Sequence, residues 1–204
     1  MSQSKIALPI IVLLSVIIAL ASLRFIPLDL ELSFPPMQHQ FENARLGFLL
    51  HISASPIALA IGAYQLLPNM RKRHLTLHRW LGRLYAIVII VGGVSGFYIA
   101  FNIESTIGAI GFALLAVIWV FVTAQAVLKA RAKQFADHRI WMIRSFALTF
   151  AAVTLRLQLA TFQFGFEMPY EQVYPFLAWS CWIPNIIFAQ WWISKYPRPI
   201  KAST

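Results

Sequence analysis

Gln65-Leu66-Leu67-Pro68-Asn69-Met70-Arg71-Lys72-Arg73-His74-Leu75-Thr76-Leu77-His78-Arg79 and Gln125-Ala126-Val127-Leu128-Lys129-Ala130-Arg131-Ala132-Lys133-Gln134-Phe135-Ala136-Asp137-His138-Arg139 are two versions of one stretch. Gln65, Arg71, Arg73, His78 and Arg79 each find a counterpart 60 positions later, with only Arg73 changed in type, to Lys133. Trp80 and Arg83 are answered by Trp141 and Arg144, one residue out of step. A self-match at fixed period predicts duplicated structure. Each stretch is a basic turn between two long apolar runs, so each reads as the tip of a helical hairpin.

Outward from these tips the chain is apolar. It is 59% hydrophobic and 12% charged over 204 residues, which is far from soluble composition. Apolar runs near the ~20 residues that cross a bilayer as helix recur along it. The pattern predicts an all-α, polytopic membrane bundle forming a single domain over 1–204. Helix one is expected at about 5–24, one hairpin at about 44–101, the other at about 107–164, helix six at about 173–193, and a basic tail over 195–204. Ala19-Leu20-Ala21 resembles a signal cleavage site, but the apolar run is long for a signal, so a retained first helix is expected. Residues 25–43, with three prolines, read as a loop. Pro184 is expected to kink helix six, with Asn185 serving the freed backbone.

Charge sets the orientation. Of 17 Lys and Arg, 14 fall at the N-terminus, the two basic turns with their flanking helix starts, and the tail; six of seven acids fall in the opposite loops. The positive-inside rule then predicts six crossings with both termini cytoplasmic, in a bacterial inner membrane. This distribution explains the +10 net charge through the anionic inner leaflet, and nucleic acid is not implied. The lone Cys181 excludes a disulfide framework. Phosphate-loop, nucleophile-elbow, zinc-protease and dinucleotide motifs are absent, and so is any intramembrane carboxylate pair of the usual proton-coupled transporter.

Two constellations stand out. At the basic end, Gln65 lies as far from its turn as His78, and Gln125 as far as His138. Each amide is therefore expected near its imidazole, where it can fix the ring's tautomer. Two such histidines on pseudo-symmetric helices suit the axial positions of a haem iron, and Arg79, Arg83, Arg139 and Arg144 suit its propionates. The competing expectation is that these residues are interface anchors, copied with the duplication. His74 and His78 also have the i, i+4 spacing of a divalent-metal pair. At the other end, His51 lies about two turns inside helix two. Arg156 lies 18 residues beyond His138, about 27 Å along the helix. A cation at that depth is costly and is expected to face the interior, as part of a buried network or of a ligand or quinone-headgroup site. Gln158, Gln163 and Asn185 add polar groups, and His39 is a possible further ligand. Gly92, Gly93 and Gly96 permit close helix approach, or room for a flat cofactor.

At His78-Arg79-Trp80-Leu81-Gly82-Arg83 and His138-Arg139-Ile140-Trp141-Met142-Ile143-Arg144-Ser145 the sequence resembles an uncharacterised bacterial family of predicted membrane proteins, a domain of unknown function. His51, Gln65, residues 146–156, Trp179, Trp182, Pro184 and Asn185 fit the same pattern, so the resemblance spans about helices two to six. It brings no established activity. More loosely, a small bundle with membrane histidines resembles the di-haem b-type cytochromes, which implies haem b and electron transfer with a quinone or partner protein. The chain departs from them in carrying its paired histidines at helix ends. The expected function is such a haem-b redox component. The alternatives are a non-enzymatic subunit or assembly factor of a larger membrane complex, or a binding or transport protein for an anionic amphiphile. Its expected surroundings are the bilayer and a complex partner or second copy.

Overall fold

The computed structural model describes residues 3–23, 37–67 and 73–195. Arg71, Lys72 and the tail from 196 lie outside them, as do most of the first acidic loop and the chain start. The described chain is helical: α1 Gln3–Leu23, α2 Gln38–Asn43, α3 Arg45–Gln65, α4 Leu75–Ala100, α5 Thr106–Arg131, α6 Phe135–Thr149, α7 Ala151–Ala160, a π-turn over Thr161–Gly165, α8 Tyr170–Ser180 and α9 Ile183–Lys195. No strand occurs among the described residues. Arg45–Gln65, Leu75–Ala100, Thr106–Arg131 and the run Phe135–Gly165 are long and apolar enough to cross a membrane. At 1.5 Å per residue the 26-residue helices measure about 39 Å, more than the ~30 Å hydrocarbon layer.

Helices α3, α4, α5 and the α6–α7 run alternate in direction and form a ring, closed where α3 meets α6. α1 lies outside the ring against α3 and α7, α8 against α5, and α9 against α6. α1 docks through small residues one or two turns apart: Ser15, Ala19 and Ser22 are buried. The serine hydroxyls donate back to Ile11 O and Ile18 O, at 2.7 Å each. Small side chains let helices approach where lipid supplies no hydrophobic drive. The α4 glycines serve the same end. A Cβ at Gly92 would meet the Trp119 ring, at Gly93 the Val120 side chain, and at Gly96 the His51 ring. Side chains of neighbouring helices, then, occupy the space those glycines leave.

Three expectations need correction. Part of the segment read as a loop is the short helix α2. Helix five is divided at Phe150, where Thr149 Oγ1 donates to Ser145 O at 3.0 Å and Thr154 Oγ1 to Phe150 O at 3.3 Å; such back-bonding bends helices. Helix six is two helices, α8 and α9, meeting at Cys181 and Trp182. Pro184 has no N–H for Ser180 O. Gln158 Nε2 on α7 takes that carbonyl at 3.3 Å, while Ser180 Oγ donates to Gln158 Oε1 at 3.0 Å. Asn185 does serve the freed backbone: its Nδ2 donates to Cys181 O at 3.0 Å and to Thr154 Oγ1 at 2.9 Å. The break thus becomes a polar seam stapling α7 to α8 and α9.

Candidate functional site

At the basic end, His138 lies on the first turn of α6 and is half-buried. Its Nδ1 lies 2.8 Å from Ala126 O on α5. A carbonyl only accepts, so Nδ1 carries the proton and Nε2 keeps its lone pair. The orienting group is therefore the backbone carbonyl one residue beyond Gln125, rather than the Gln125 amide. His78 is half-buried on the first turn of α4. Gln65 packs against Gly82, one turn further along α4, where a Cβ would lie 3.7 Å from its Nε2. That buried nitrogen has no hydrogen-bond partner.

Arg79 and Arg139 are exposed. Arg83 stacks over Trp80 at 5.1 Å, and Arg144 over Trp141 at 4.6 Å. Arg144 also sends Nη2 to Gln190 Oε1 on α9 at 2.9 Å. Stacked on their own tryptophans, Arg83 and Arg144 have the chemistry of interface anchors. The donor chemistry of His138 suits an axial imidazole. His74 is exposed beside His78, and no group of three or more metal-ligating residues occurs among the described ones.

The opposite half is more closely built. His51 on α3 donates from Nδ1 to Gly92 O at 2.8 Å, which fixes Nε2 as the acceptor facing Ser55 Oγ at 3.4 Å. Its ring lies against the bare Gly96, where a Cβ would come within 3.0 Å of its Cε1 and Nδ1. Ser95 Oγ reaches the same Gly92 carbonyl at 3.2 Å. Arg156 projects from α7 within Coulombic reach of His51. Its Nη1 donates to Ala152 O on its own helix at 2.9 Å, and no carboxylate answers it among the described residues. His39 is exposed on α2, beside Asn43, and Gln163 lies in the π-turn.

Between the two ends runs a hydroxyl network that the sequence reading missed. Tyr85 OH lies 2.8 Å from Thr149 Oγ1 and 3.1 Å from Ser145 Oγ. Trp119 Nε1 donates to Thr149 Oγ1 at 2.9 Å, and Thr123 Oγ1 lies 2.7 Å from Ser145 Oγ. All five residues are buried. Protons run to the Trp119 and Ser145 carbonyls, so the network closes on itself. The only sequence signal was Ser145 and Thr149 at i, i+4 on one face of α6.

Spanning-length apolar helices around a hydrogen-bonded polar interior define a polytopic helical membrane protein. The chain belongs to the family described as predicted membrane protein (DUF2306), whose model matches residues 48–193. No curated protein and no solved structure matches it.

Proposed function

We propose that this is a binding protein for the polar head of an amphiphile, of the quinone or anionic kind, held in the half of the bundle that carries His51 and Arg156. The carrying observation is Arg156: a guanidinium inside a spanning run, bonded among the described residues to its own helix and within electrostatic reach of His51. An uncompensated cation at that depth is costly unless a ligand's oxygens complete it. His51 adds an imidazole of fixed tautomer with Ser55 behind it. Arg156→Leu should weaken binding of a short-chain quinone, followed by quenching of the buried Trp119 and Trp182, by about tenfold or more. Arg79→Leu, at the exposed basic end, should leave it unchanged. Equal quenching in both variants and the wild type would remove the site, and the accessory-subunit reading would stand in its place.

In this reading the protein crosses a bacterial inner membrane six times, with α1 as one crossing and the broken α8–α9 pair as another. One feature favours the duplication: Trp80–Arg83 and Trp141–Arg144 repeat one stacked pair. Reporter fusions after Lys133 and Thr204 should report cytoplasm, and one after Ile103 the opposite side. A periplasmic signal at Lys133 would sink the topology.

A second reading rests on His138, whose Nε2 is left as a lone pair by the Ala126 carbonyl. There His78 and His138 would be the axial ligands of haem b in an electron-transfer component. Protein from cells supplied with haem precursor would then show a low-spin Soret band, lost in His138→Ala and kept in His74→Ala. No band in the wild type ends that reading.

A further inference from the structure

A groove of about 660 Å³ runs along the lipid-facing seam of α3 and α4. Leu46, Gly47 and Leu50 form one wall, and Ile90, Val94 and Tyr98 the other. From Ile90 to Tyr98 it extends about 12 Å along α4. Tyr98 lies across the bare Gly47, where a Cβ would come within 2.8 Å of its ring. That close seat holds the helices together at one end, while the exposed side chains of Leu46 and Val94 edge the channel.

The groove is apolar along its length and polar at one end. There Asn43 and Arg45 line it, at the start of α3. Asn43 is already engaged with His39, but Arg45 is exposed, its guanidinium 5.2 Å from the centre of the Phe41 ring. The helix behind it begins at Ala44 with no side-chain cap, so its first N–H groups add positive potential at the same place. An apolar channel set in a membrane-spanning seam and headed by a cation has one complementary occupant. We propose that the groove holds a single anionic phospholipid, its acyl chain along the α3–α4 seam and its phosphate at Arg45. This site is separate from the His51–Arg156 interior and does not depend on what binds there.

Native mass spectrometry of the full chain, purified in mild detergent and offered phosphatidylglycerol or phosphatidylethanolamine, tests it. Wild type should retain one phosphatidylglycerol in preference to phosphatidylethanolamine. Arg45→Gln, an exposed and fold-neutral change, should lower phosphatidylglycerol retention about fivefold and leave phosphatidylethanolamine unaltered. Val94→Trp, filling the channel, should lower both. Val117→Trp matches it on α5 outside the groove, since Val94 is 61% and Val117 51% exposed, and should lower neither. Equal retention of the two lipids by wild type would overturn the proposal. So would Val94→Trp behaving like Val117→Trp.

Discussion

Gly111→Leu is expected to lower the stability of the folded bundle by about 3 kcal/mol and to free α8 from α5. A Cβ built at Gly111 would come within 2.9 Å of Ala178 O, 2.9 Å of Trp179 Nε1 and 3.0 Å of Ala178 Cβ. The first of these is backbone inside α8, and no rotamer change moves it aside. The helix must lift, and with it goes the bond from Trp179 Nε1 to Ile107 O, now 3.1 Å. Gly165→Leu is the matched control, because a Cβ there meets only Thr161 Cγ2, at 4.0 Å. The checking measurement is the midpoint of denaturation in mixed micelles as detergent denaturant is raised. A Gly111 variant as stable as the Gly165 variant would mean that α8 does not seat on α5 in this way.

Much of this architecture was legible because hydropathy and charge are written residue by residue. The four spanning runs follow from apolar length alone, and the family from the two His-Arg-Trp clusters. Arg156 and His51 could be paired by arithmetic, since helical rise converts sequence distance into depth. The partners of the histidines were not legible. His51 and His138 are each oriented by a backbone carbonyl, Gly92 O and Ala126 O, and a carbonyl has no signature in sequence. Gln125 looked like the orienting group of His138 only because amides are visible. The tryptophan stacks were not legible for a related reason: matched spacing says that Arg83 and Arg144 sit at equivalent places, not which way they turn. Each folds onto the tryptophan three residues before it. Helix six shows the same limit. Pro184 announced a break, but Gln158, on another helix and 22 residues from Ser180, supplies the missing donor.

The hydroxyl network supports the sharpest contrast between two conservative substitutions. Thr149→Val keeps the side-chain shape and removes one oxygen, which accepts from Trp119 Nε1 and lies 2.8 Å from Tyr85 OH. Tyr85 has a second partner in Ser145, but the indole N–H has no other in this core. Thr149→Val therefore buries an unsatisfied donor where neither water nor another side chain replaces the acceptor, and should cost about 2 kcal/mol. Tyr85→Phe removes one hydroxyl and orphans nothing. Thr149 still takes Trp119 Nε1 and donates to Ser145 O, and Ser145 still bonds Thr123. Its cost should be nearer the ~0.6 kcal/mol average for hydrogen bonds between membrane helices. Denaturation midpoints for the two variants and the double variant give the order directly. Thr149→Val less damaging than Tyr85→Phe would show that Trp119 finds another acceptor and that the tyrosine, not the threonine, is the hub.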